Sequence, residues 1–121
     1  MDDPTGVQAE QWLATQLVQA GWQVLAQRWR CPWGELDLVV MGNNLVAFVE
    51  VKARRRLGPD AGGALAVGRG KQRRLIRAAG LFLADHPELA EASCRFDVAL
   101  IVLGAGGFQL REYLSGAFEV E

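Results

Sequence analysis

The segment from Gly34 to Arg54, GELDLVVMGNNLVAFVEVKAR, leaves the chain little choice but a β-hairpin. Two runs rich in Leu, Val and Phe flank Gly42-Asn43-Asn44, and Gly and Asn tolerate the positive φ of a tight hairpin turn. With Asn43-Asn44 as a two-residue loop, Gly42 faces Leu45, and counting outward sets Asp37 opposite Glu50 and Glu35 opposite Lys52. Side chains alternate along a strand, so Leu36, Leu38 and Val40 share one face with Ala47, Val49, Val51 and Ala53. That face is wholly apolar and is expected to be core. The other carries Glu35, Asp37, Glu50 and Lys52 at one end and Val39, Met41, Val46 and Phe48 at the other.

An Asp set against a Glu does nothing for a sheet that needs only to be stable, because like charges directly opposite are destabilising. At about 5 Å and an effective dielectric of about 20, such a pair costs on the order of 3 kcal/mol. A divalent cation between the two reverses the sign, and hard cations such as Mg²⁺ take carboxylate oxygens. Two alternatives stand beside this reading: a solvated face on which Lys52 neutralises the acids, or a slipped register that separates them.

The 121 residues suffice for one domain, spanning 1–121, with one proper core. No apolar run approaches the length of a membrane span, and the acidic start Met1-Asp2-Asp3-Pro4 lacks the pattern of a secretory signal. Cys31 and Cys94 are too few and too far apart for a disulfide framework or a zinc site. They are expected to be buried free thiols in a cytoplasmic protein. The net charge of −1 hides an uneven distribution. Residues 52–77 hold nine bases, Lys52, Arg54, Arg55, Arg56, Arg69, Lys71, Arg73, Arg74 and Arg77, against Asp60 alone, a local charge of +8. A basic strip that begins at the carboxylate pair suggests a phosphate backbone delivered to a metal site.

Upstream of the hairpin, Val7–Ala20 has the spacing of an amphipathic helix, capped by Thr5 and stopped by Gly21, with Val7, Leu13, Ala14, Leu17 and Val18 as its stripe. Glu10 falls on that stripe. It either reaches solvent or an arginine, or is a third carboxylate aimed at the same site. Trp22–Cys31 reads as a half-exposed strand, whose Trp29, like Trp33 in the following turn, is either a sheet aromatic or a platform for bases. Arg55–Gly70 is a glycine-rich, basic flap without phosphate-loop spacing. Lys71–Asp85 forms a second helix that buries Leu75, Ile76, Ala79, Phe82 and Leu83, with Lys71 able to point back at the hairpin. Cys94–Leu103 is apolar on both faces, as in a central strand. Phe108–Leu114 is an edge strand.

An acid on one strand, then Glu-x-Lys on the next, after a helix bearing a Glu, resembles the PD-(D/E)xK nuclease superfamily. More narrowly, Gly6, Glu10, Arg30, Gly34-Glu35-Leu36-Asp37-Leu38, Phe48-Val49-Glu50-Val51-Lys52, Lys71 and Arg95-Phe96-Asp97-Val98 resemble the YraN-like bacterial proteins, described as predicted endonucleases related to archaeal Holliday-junction resolvases. The resemblance runs from Gly6 to about Leu103. It implies an α/β, restriction-endonuclease-like core, a mixed sheet of about five strands flanked by helices. It also implies that Asp37, Glu50 and the Val51 carbonyl hold Mg²⁺ or Mn²⁺, that Lys52 orients or activates the attacking water, and that Glu10 completes the catalytic acids. Glu35 is a secondary candidate. The superfamily's proline is Leu36 here.

The expected activity is metal-dependent endonucleolytic hydrolysis of DNA or another nucleic acid, with branched or junction DNA as the implied substrate and a two-fold homodimer as the assembly suited to a junction. The eight bases from Arg54 to Arg77 would hold the backbone. The alternative keeps the fold and drops the chemistry, leaving a nucleic-acid-binding module.

Overall fold

The computed structural model describes residues 5–55 and 65–119. Helix α1 (Thr5–Gln19) leads into strands β1 (Gln23–Cys31), β2 (Gly34–Gly42) and β3 (Leu45–Arg54). Helix α2 (Arg69–Ala84), a 3-10 turn at Pro87–Leu89, and strands β4 (Ser93–Gly104) and β5 (Gly107–Phe118) complete the order. The strands form one sheet in sequence order, antiparallel except for the parallel β3–β4 pair that α2 connects. This is a mixed five-stranded sheet with a helix on each face, the α/β restriction-endonuclease-like core that the sequence resemblance implied.

The central hairpin turns where its residue types allow. Asn43 and Asn44 take φ of 50° and 62°, both positive, as a two-residue hairpin loop requires. Pairing runs from Gly42–Leu45 to Leu38–Val49, the register anticipated from the turn. Both hairpin faces are core. Leu38, Val40, Ala47 and Val49 pack with Ala9, Leu13 and Ala14 of α1, while Val39, Val46 and Phe48 pack with Leu75, Ala78, Ala79 and Phe82 of α2.

Several expectations change in three dimensions. Leu36 joins the α2 cluster rather than the face of Leu38 and Val40, so alternation breaks at Asp37. The neighbouring strand is irregular at the same level, where Arg28 takes φ of 51°. The β2–β3 ladder has ended by then, and Glu35 pairs with Arg30 of β1 instead of facing Lys52. On α1, Val7 and Val18 are exposed. At 100° per residue Val7 lies 120° away from Leu13, so the true stripe is Ala9, Glu10, Leu13 and Ala14. Thr5 is the buried first residue of this helix rather than an outlying cap.

Cys31 is half-buried and Cys94 exposed, because both lie at strand ends rather than mid-sheet. Strand β5 continues to Phe118, beyond Leu114. Gly116, at φ of 63°, donates its N–H to Asp97 Oδ1 (3.0 Å), and Phe118 stacks on Phe96. Asp97 is buried on β4, beside the edge strand β5. Arg95 grips it from two nitrogens (2.8 and 2.9 Å), and the Tyr113 hydroxyl donates to it at 2.5 Å.

Candidate functional site

Where the β2–β3 ladder opens, the Asp37 side chain takes over a backbone role. Its Oδ2 accepts the Val51 N–H at 2.8 Å, which ties the two strands together just past their last pair, Leu38–Val49. That bond fixes the Asp37 carboxyl beside Glu50. Asp37 is accordingly raised well above the usual carboxylate range, first by burial and then by Glu50, with the Val51 N–H opposing and Glu10 adding to the rise.

Helix α1 brings the third acid. Glu10 is buried, and its Oε1 has no hydrogen-bond partner among the described residues. Its carboxyl is raised from 4.5 to about 7 by burial and by the charge of Glu35, with Arg28 lowering it and Glu50 raising it further. Arg28 Nε lies 3.9 Å from Glu10 Oε1 and 3.4 Å from Glu35 Oε1, and Arg30 Nε lies 3.1 Å from Glu35 Oε2. One oxygen from each of Glu10, Glu35 and Asp37 falls within 4.8 Å of the others, so this trio could hold a metal ion. An all-carboxylate set suits hard cations such as Mg²⁺ or Mn²⁺. The buried Glu10 Oε1, with Arg28 Nε at 3.9 Å but no hydrogen bond among the described residues, fits that use, since a buried acceptor without a hydrogen bond is otherwise a net cost.

Glu50 completes the acids from β3 and is met by Lys71 Nζ at 3.2 Å. Lys52 follows on the same strand. Its ammonium donates to the Ala66 carbonyl at 2.8 Å, and its pKa is held below the usual lysine range by burial first and by Lys71 beside it. Four carboxylates and four cations therefore gather at the opened ladder. A family model described as "Uncharacterised protein family UPF0102" matches residues 9–101, which include all of them.

The chain belongs to the UPF0102 family, the YraN-like group.

A UPF0102 protein of Synechococcus sp. (strain JA-3-3Ab) is 58% identical over 120 residues, covering 96% of this chain and 90% of that protein. One from Gloeobacter violaceus is 55% identical over 114 residues, with 93% and 90% covered, and one from Prochlorococcus marinus is 47% identical over 105 residues, with 85% and 83% covered.

In this UPF0102 chain the bases divide by place. Arg69, Arg73, Arg74 and Arg77 are exposed on α2, and Arg54 and Arg55 are exposed at the end of β3. Lys71, counted with them as a backbone contact, is engaged with Glu50. Arg56 and most of the expected flap lie outside the described residues. Helix α2 has no acid in its first turn and no side-chain cap, so Arg69, Lys71 and Arg73 crowd the end where cations are least favourable. Such a helix start favours an anion.

Sequence reasoning missed two residues. Arg28 holds Glu10 and Glu35 apart from outright repulsion, but only its backbone conformation aims it there, and alternation along β1 does not announce that. Asp97 was signalled more plainly, as a charge in a strand apolar on both faces.

Proposed function

We propose that this protein is a metal-dependent phosphodiesterase acting endonucleolytically on nucleic acid, with DNA the expected substrate. One observation carries the reading. Glu10, Glu35 and Asp37 each bring a carboxylate oxygen within 4.8 Å of the others, the buried Glu10 Oε1 accepts no hydrogen bond among the described residues, and Glu50 lies beside Asp37 with Lys52 next along the same face of β3. Buried acids such as Glu10 and Glu50 weaken a fold that uses them for nothing else.

Asp37 with Glu50, and Glu10 with Glu35, would hold Mg²⁺ or Mn²⁺; the Val51 N–H fixes Asp37 for the purpose. The ion supplies charge that polarises a phosphoryl oxygen and acidifies water. Lys52, short of its usual basicity, orients the water and meets the negative charge that develops on the phosphoryl group. Lys71 shields Glu50 from the incoming phosphate. Arg69, Arg73, Arg74 and Arg77 hold the flanking backbone without reading sequence.

The test is a cleavage panel of branched, nicked and linear nucleic acids with Mg²⁺ or Mn²⁺, run beside Asp37→Asn. The reading expects ion-dependent cleavage by the wild type and none by the variant. Absence of divalent-ion binding by the wild type, with or without DNA, would leave only a binding module.

A further inference from the structure

Apart from the acids, an aromatic ring meets the basic helix. Trp33 sits in the Pro32-Trp33 turn between β1 and β2, and 41% of it is open to solvent. The Arg77 guanidinium lies 4.5 Å from the centre of its ring. Two other tryptophans serve the core: Trp29 packs edge-on against Phe82, and Trp12 packs against Phe108. Trp33 does no comparable work. A cation over an indole fixes the ring's orientation at an exposed turn, where hydrophobic burial cannot.

Its position relative to the acids gives the ring a use. Arg77 follows Lys71 by six residues on α2, about 9 Å along the helix axis. Lys71 touches Glu50, and Arg74 is exposed between them. A backbone with one phosphate at the acids and the next against Arg74 and Arg77 would carry a base toward Trp33, which Arg77 touches. In a duplex that base is stacked inside the helix and beyond the ring's reach. An unpaired base presents its face.

We propose that Trp33, held by Arg77, is a stacking platform for an unpaired nucleobase beside the phosphate at the acids, so that the favoured ligand is nucleic acid with single-stranded character there. This inference rests on the phosphodiesterase reading for its class of ligand. Stacking on an aromatic ring is sequence-tolerant, since every base has a π-face, and the preference concerns strand structure rather than sequence.

The experiment measures binding of the full chain, by fluorescence anisotropy at fixed ionic strength, to a duplex, the same duplex with a short single-stranded flap, and the flap strand alone. Wild type, Trp33→Ala, Trp33→Phe and Arg77→Ala are compared, with circular dichroism confirming that each folds. A flap strand carrying 2-aminopurine reports stacking directly by quenching. The wild type should favour flap and single strand over duplex. Trp33→Ala should lose about ten-fold on those two ligands, lose quenching and keep its duplex affinity, while Trp33→Phe retains most of both. Equal affinity of Trp33→Ala and wild type for the flap, or an equal loss on duplex and flap, overturns the platform and leaves the phosphodiesterase reading standing. If the wild type binds none of the three, that reading falls and the platform with it.

Discussion

Replacing Glu10 by Gln should make the metal-free protein more stable while weakening the metal binding proposed for it. The folded carboxyl titrates at about 7 against 4.5 in the unfolded chain. A gap of that size corresponds to about 3 kcal/mol against the ionised form. Because the folded pKa is the higher one, the acid's contribution to stability is fully present below pH 4.5 and is lost as the pH rises through about 7. Glu10→Gln has no charge to bury, so it escapes the loss; its amide needs a partner of its own, which returns about 1 kcal/mol. The net gain at pH 8 is about 2 kcal/mol, or roughly 6–10 °C in melting temperature for a chain of this size. At pH 4.5, where only the cost of the amide remains, the variant should melt a few degrees below the wild type. Thermal melts in EDTA at both values measure this, and repeating them with excess Mn²⁺ should raise the wild type at pH 8 far more than the variant. A variant less stable than wild type at pH 8 in EDTA, or one that gains as much from Mn²⁺, would refute the assignment of Glu10 as a strained ligand.

Other perturbations separate the parts of the site. Lys52→Ala should leave Mn²⁺ binding by calorimetry intact and reduce cleavage at least a hundred-fold, whereas Asp37→Asn should weaken both and spare DNA binding. Replacing Arg73 and Arg77 together by Ala should flatten the log–log salt dependence of DNA affinity by about 2, as two lost phosphate contacts require; an unchanged slope would remove α2 from the interface. Tyr113→Phe takes a hydroxyl from the buried Asp97 and should cost roughly 1.5–3 kcal/mol in urea unfolding, and Asp97→Ala, which strands Arg95, about 3–5 kcal/mol.

Local chemistry alone determined the centre of this protein. Asn43-Asn44 between apolar runs admits one tight turn, and that turn sets a register in which Asp37 and Glu50 approach each other. The apolar spacing of α2 reports the burial of Leu75, Ala79 and Phe82, though Ile76 and Leu83 are only partly buried and Ala78 joins the core, and a Glu on the stripe of α1 stays buried when the chain folds. These features depend on neighbours close in sequence, or on periodicity, and so can be read without coordinates.

Tertiary structure decided how the acids are used. Alternation predicts Leu36 beside Leu38, but the ladder opens at Asp37, whose side chain instead accepts the Val51 N–H and releases Leu36 to the opposite face. Glu35 leaves Lys52 for Arg28 and Arg30 because its partner strand there is β1, and it thereby joins Glu10 and Asp37 in one trio. Lys71 reaches Glu50, and Arg77 covers Trp33, only because α2 crosses the sheet at one particular place. A strand pattern states which residues alternate; where a ladder ends, and which distant cation fills the opening, depends on how helices and sheet pack together.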